Sequence, residues 1–368
     1  MSGMDSHNSA GSADVVRLEW CYDIRRPLLA HADLLSARPS YSTALTTEDG
    51  TFPATVLLPR SFDTNNTAIS DFLAPPHGWV PTRPSPDKEW GTYHRSGPFQ
   101  GVVIKRLAFT IETDLKDVKE GLRGEWEALL ALEIRHNMDS WWENVRTWLE
   151  ISTNQRLAQV GHEEGFWLDT YSNTSVWTVA DDGTRQPMPI GGTGVPEPDK
   201  VLAVTPETLQ DCLELATTTP PLAWTLLRDA RALQRAGQHR RAVIDAAIAA
   251  ELAVTQLIDQ QLQNTDEDKR ENLLKSHKTL GGKTTLLKEL GAPLPDPFKA
   301  ELIDRRNKVL HEGENITAKQ SAEAFMQAVP VVSKAFPLPT AQASGRTLAC
   351  LWSSPVDSEP AITTWGTS

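Results

Sequence analysis

Asp304-Arg305-Arg306-Asn307-Lys308-Val309-Leu310-His311-Glu312-Gly313 joins a helical apolar pattern to residues suited to phosphate chemistry. Leu302, Ile303, Arg306, Val309 and Leu310 recur at helical intervals, which sets Arg306 on or beside the buried face of a helix. Arg306 brings a fixed positive charge and a planar fork of donors that matches a phosphate. Histidine, here His311, is the residue type that gives and takes protons near neutral pH. Asn307 is the polar residue beside the arginine, and Arg305 and Lys308 complete a local cationic cluster suited to holding RNA. On an ideal helix, residues five apart point about 140° away from each other. Arg306 and His311 therefore converge only if the helix loosens at Glu312-Gly313, or if two copies of the chain meet across an interface.

Outward from this stretch, the chain from about Leu222 to Phe336 reads as consecutive helices. The first, Leu222 to Ala236, carries an apolar stripe of Leu226, Leu227, Ala230 and Leu233, with Arg228, Arg231 and Arg235 off it, and Gly237 ends it. Arg241 to Leu262 is apolar nearly all round and reads as the central helix, interrupted by Glu251. Glu251 either reaches solvent at the bundle edge or is a buried partner that positions Arg306. Leu280-Gly281-Gly282-Lys283-Thr284-Thr285 imitates a phosphate loop. It has His277 where that loop needs a glycine and no strand before it, so a helix break between Leu274 and Leu290 is expected instead. Phe298 to Leu310 is the motif helix, and Thr317 caps a last helix kinked at Pro330 and stopped by Pro337 and Pro339.

Arg306, Asn307 and His311, spaced Arg-polar-x-x-x-His and placed at the end of the fourth helix, resemble the HEPN family of small helical-bundle domains. The resemblance covers about a third of the chain. It implies an all-α HEPN-like bundle over 205–339 and metal-independent RNA cleavage without a cofactor, at a composite homodimer cleft with Arg306, His311 and Asn307 catalytic. Many such domains serve toxin or antiphage defence systems, with an inhibitory or trigger protein as a further partner. Other HEPN domains are inactive, and a non-catalytic dimerisation or ligand-binding module is the competing expectation. The interval alone is not distinctive, because Arg26-Pro27-Leu28-Leu29-Ala30-His31 repeats it with a proline inside and no helical bundle around it.

Composition bounds the rest. A chain of 368 residues suffices for two domains, and 39% hydrophobic with 23% charged residues is ordinary for a soluble protein. No run of eighteen apolar residues calls for a membrane, and three scattered cysteines suit a reducing cytoplasm. The net charge of −12 argues against a general polyanion binder. Yet Leu222 to Phe336 holds 17 Lys or Arg against 15 Asp or Glu, so the acidity belongs to the remainder.

Residues 1–14 read as disordered and 15–204 as a mixed α+β domain with a sensing or regulatory role. Strands are expected at Val16 to Trp20, Ala54 to Leu58, Val102 to Ile104, Leu107 to Ile111, Phe166 to Tyr171, Val176 to Ala180 and Arg185 to Ile190. Pro75 to Pro98 reads as a long loop. Helices are expected at Leu115 to Arg135 and Ser140 to Leu157, the second capped by Asp139 or Ser140 and carrying a core stripe of Trp141, Val145, Trp148 and Leu149. Gly191 to Pro198 reads as a junction loop. Thr205-Pro206-Glu207 starts a short helix, and Thr217 to Pro221 breaks it. The tail, 340–368, reads as flexible, although Trp352 and Trp365 are unusual in such a segment. The chain holds no nucleophile elbow and no zinc-spaced Cys or His, so hydrolase-triad and metalloenzyme readings lack a motif.

Overall fold

Two long strands organise the N-terminal part. In the computed structural model, which describes residues 15–38, 40–47, 50–61, 73–79, 90–96, 99–114, 123–158, 177–179, 185–187, 201–342 and 345–348, β1 (Val15–His31) and β5 (Phe99–Asp114) run antiparallel along each other. The opposite edge of β5 carries β3 (Gly50–Leu57) and, nearer its start, β4 (Gly91–Ser96); β2 (Ser40–Thr47) pairs with β3. The register of β1 against β5 shifts between Asp23 and Leu28. Pro27, which has no N–H to give to a ladder, sits inside that irregularity. A four-residue helix, α1 (Leu34–Ala37), turns the chain between β1 and β2.

The expected strands at Val16 to Trp20 and Ala54 to Leu58 are present, the first extended to His31. The early Arg26-to-His31 interval therefore lies in a strand. Lys105 and Arg106 do not interrupt β5, because Arg106 is buried: it pairs with Asp23 across the ladder and lies over the Trp90 ring. Pro75 to Pro98 is not loop throughout. Trp90 is buried and β4 follows it. The two expected helices around residue 140 are one, α2 (Arg123–Thr153), and Asp139 is no cap but accepts a hydrogen bond from the Tyr22 hydroxyl at 2.8 Å. Trp141, Val145, Trp148 and Leu149 are core, as their stripe predicts. β6 (Trp177–Val179) and β7 (Arg185–Pro187) pair antiparallel at the two later strand positions. The strand expected at Phe166 to Tyr171, the loop at Gly191 to Pro198, residues 1–14, and Trp352 and Trp365 lie outside the described residues.

Thr205 caps α3 (Pro206–Glu214) by accepting from Thr208 N. This stretch stitches the sheet to the helices: Val204 bonds Leu29, and Thr43 Oγ1 donates to Leu213 O. The mostly helical remainder follows as α4 (Leu222–Arg235), α5 (His239–Gln261), α6 (Glu267–Ser276) and α7 (Leu280–Glu289). After them comes the motif helix, whose central turn is α8 (Arg305–Asn307), and then α9 (Ala318–Ala335) with a complete capping box at Thr317 and Gln320. Alanines line the buried side of α5, which packs between α4, α7, α9 and the motif helix, as its all-round apolar pattern requires. The helix break expected between Leu274 and Leu290 falls between α6 and α7, and Gly281 and Gly282 lie in the first turn of α7, capped by Thr279.

Two further expectations change. Arg228 and Arg231, off the apolar stripe, are nevertheless buried, because α4 is covered on a second side by α2. The tail does not loosen at Thr340: Thr340 bridges Thr347, and Ala341 and Leu348 are buried. Among the described residues no helix is long and apolar enough to cross a membrane.

Candidate functional site

The motif helix departs from α-helical bonding. Lys299–Asp304 and Lys308–Glu312 bond i→i+5, and only the single turn Arg305–Asn307 between them is α-helical. Such widened turns are rare and recur at functional sites. Bonds that reach five residues on bring positions five apart toward one side of the helix, where an α-helix would separate them by about 140°. Arg306 and His311 are five apart. The loosening allowed for at Glu312-Gly313 thus begins earlier, at Lys308. It ends at Gly313, which takes a left-handed conformation with φ 66°, a conformation glycine adopts without a Cβ penalty.

The apolar residues Phe298, Leu302, Ile303 and Val309 hold this helix in the core, whereas Leu310, expected with them, is exposed beside His311. Arg306 is half-buried, and its Nη1 donates to Asn307 Oδ1 at 3.1 Å. Neither Arg306 nor His311 has a carboxylate partner among the described residues, and no hydrogen bond joins the two. His311 is exposed at the helix end. Asn307 therefore orients the guanidinium, and an anion would meet it without first displacing a carboxylate.

The other sequence-predicted residues are placed differently. Arg305, expected to bind RNA, is spent on α9: Nη2 pairs with Glu323 Oε2 at 2.6 Å and Nη1 donates to Gln320 O at 2.8 Å. It fixes the motif helix to its neighbour. Lys308 is exposed, with Glu314 at 3.5 Å, and remains open to an anion. Glu251 does not support Arg306. Its Oε1 accepts from Lys283 Nζ at 2.9 Å, a half-buried pair that ties α5 to α7.

Two polar groupings escaped the reading of the sequence. At the end of the bundle that carries His311, the α4–α5 turn places His239, Arg240 and Arg241 against Asn315 and Ile316 around an open cleft of about 280 Å3. The signal was three basic residues in a row after Gly237. The second grouping joins α2 to α4. Glu150 is buried and accepts from Leu157 N and Ala158 N at 2.7 and 2.9 Å through Oε1. Arg228 Nη1 lies 3.2 Å from Oε2 and donates to Thr147 Oγ1 at 2.6 Å. Burial pushes the Glu150 carboxyl up from its ordinary value, against the pull of Arg228. Burial alone would lower the Arg228 pKa, but Glu150, Asp229 and Glu143 outweigh it and keep that guanidinium charged. No sequence signal marks this pair, since each partner sits in its own helical pattern.

Comparison with protein-family models, with curated proteins and with solved structures returns no match.

Proposed function

We propose that the helical part of the chain is a HEPN-like bundle and that it is a metal-independent endoribonuclease. The observation that carries this reading is Arg306 itself: oriented by Asn307 and without a carboxylate partner among the described residues, it sits on the one α-helical turn, five residues before His311, with i→i+5 bonding over Lys308–Glu312 between them. His311 takes the proton of a ribose 2′-hydroxyl, and the resulting oxygen attacks the adjacent phosphorus. Arg306 stabilises the charge that builds on the phosphoryl oxygens. The P–O5′ bond breaks, leaving a 2′,3′-cyclic phosphate and a 5′-oxygen that takes up a proton. A homodimer supplies that proton from the second copy's imidazolium, on the opposite side of the phosphate, and exposed Leu310 gives such a copy an apolar contact beside the site. DNA lacks the 2′-hydroxyl and is not cut.

The setting follows from the family resemblance: a toxin or antiphage effector, cytoplasmic, with the N-terminal sheet part sensing a trigger or restraining the nuclease. A non-catalytic HEPN module is favoured by one observation, the commitment of Arg305 to α9, which halves the free positive charge beside the motif. The test is incubation of the full chain with total RNA in EDTA and mapping of the ends. Cyclic phosphate and 5′-hydroxyl termini are expected. Intact RNA from a protein shown by light scattering to be dimeric overturns the nuclease reading.

A further inference from the structure

The basic cleft at the α4–α5 turn has no part in the chemistry just described. Arg240 is exposed and makes no ion pair among the described residues. Its Nη2 comes within 4.0 Å of where a Cβ on Gly313 would stand, two residues beyond His311. Arg241 lends only one donor to a neighbour, Nη1 to Gln238 Oε1 at 2.9 Å. The Nδ1 atom of His239 is shut off from solvent and has no hydrogen-bond partner among the described residues. The acids nearby do not cancel this charge. On the facing segment Glu314 is engaged by Lys308 at 3.5 Å, and Asp245, nearly two turns into α5, interacts with Arg241, which leaves Arg240 as the guanidinium without an ion pair among the described residues.

The backbone adds to the same field. The side chain of Gln238 makes no capping bond at the start of α5, so the first N–H groups of a 23-residue helix end at the cleft without one. Two guanidinium groups, one imidazole and an uncapped helix start in an open cleft suit a phosphate better than a carboxylate side chain of a partner protein. Asn315 and Ile316, which line the cleft, follow directly on the end of the motif helix, so a chain of phosphates held at His311 suits it better than a single small anion.

We propose that this cleft is a phosphate subsite, in which Arg240, supported by Arg241, holds a backbone phosphate of the single-stranded RNA next to the one at Arg306 and His311. The assignment rests on the ribonuclease reading for what is cut, and on the cleft alone for what is bound. The contact is to phosphate and carries no sequence preference, so RNA and DNA of one sequence feel it equally. It positions the strand; the chemistry stays with Arg306 and His311.

The test uses the full chain with cleavage silenced by His311→Ala, a labelled single-stranded RNA and the matching DNA, and anisotropy across a salt series. Adding Arg240→Glu is expected to weaken both about tenfold, the scale of a lost charge-assisted hydrogen bond. The slope of log affinity against log salt is expected to flatten by about 0.7, one phosphate's share on a single strand. Arg240→Lys is expected to restore most of the affinity. Lys334→Glu makes the same charge change at the other end of α9, roughly 25 Å along the helix, and leaves binding as it was. In the cleaving protein, Arg240→Glu raises KM and leaves kcat within about twofold, as loss of uniform binding does. If Arg240→Glu binds like the unaltered cleft, if Lys334→Glu weakens binding as much, or if no nucleic acid binds at all, the subsite is overturned. If the wild-type chain cuts nothing while Arg240→Glu still flattens the salt slope, the subsite stands and the ribonuclease reading falls.

Discussion

Arg306→Lys separates catalysis from mere packing, because the structure assigns the two effects different sizes. The guanidinium is half-buried and makes one hydrogen bond, to Asn307 Oδ1, with no ion pair among the described residues. Lysine keeps the charge and the apolar stem but cannot present the two-pronged donor. The stability cost is then about one neutral hydrogen bond, roughly 1 kcal/mol. In a chain of this size that lowers the melting temperature by only about 1–2 °C. The catalytic cost is larger. Removing one preorganised donor from a developing oxyanion lowers turnover by about a hundredfold or more, or some 2.7 kcal/mol of barrier. Single-turnover cleavage of a defined RNA is therefore expected to fall a hundredfold while filter-binding affinity stays within a few-fold, with a small thermal shift. A lysine variant that cuts at nearly the wild-type rate refutes the role given to Arg306. A loss of RNA affinity matching the loss of rate would make it a phosphate anchor instead.

His311→Ala is expected to abolish cleavage and change stability by less than about 0.5 kcal/mol, since the side chain is exposed and makes no hydrogen bond; equal cleavage by mutant and wild type, or a large fall in melting temperature, contradicts this. Glu251→Gln is expected to cost under about 1 kcal/mol, the scale of a partly exposed pair with Lys283, and to leave the cleavage rate unchanged; a strong rate loss at unchanged stability would return Glu251 to the site. Glu150→Gln tests the α2–α4 junction by pH. Burial raises the folded-state carboxyl above its unfolded value, so the contribution of Glu150 to stability is full below the ordinary glutamate range and is lost as pH rises through the raised value. Urea unfolding should show wild type losing ground to the Gln variant between acid and neutral pH. A wild type that gains ground instead means that pairing with Arg228 outweighs desolvation.

The sequence by itself determined the local elements whose signals are local. Thr205 with Pro206 and Thr317 with Gln320 start helices because a side-chain oxygen or a fixed φ satisfies orphan N–H groups wherever the chain goes next. The all-round apolar run of α5 could only be central, and the tryptophan stripe of α2 could only be core. The Arg306-Asn307 to His311 interval was legible too, as residue types and a spacing.

Tertiary structure decided the rest. β2 alternates through Tyr41, Thr43, Leu45 and Thr47, only one of them aliphatic, and it and β4 pair on the edges that β3 and β5 offer. The burial of Arg106, Arg228 and Arg231 carries no sequence signal, because it depends on Asp23, Glu150 and the covering helices. The same holds at the site: Arg305 is drawn to Glu323 and Glu251 to Lys283 by neighbours far along the chain. No sequence rule in use reports that a helix will widen to i→i+5 bonding. The widened segments belong to a helix held in the core by Leu302, Ile303 and Val309, and the second of them, Lys308–Glu312, spans the interval from Arg306 to His311.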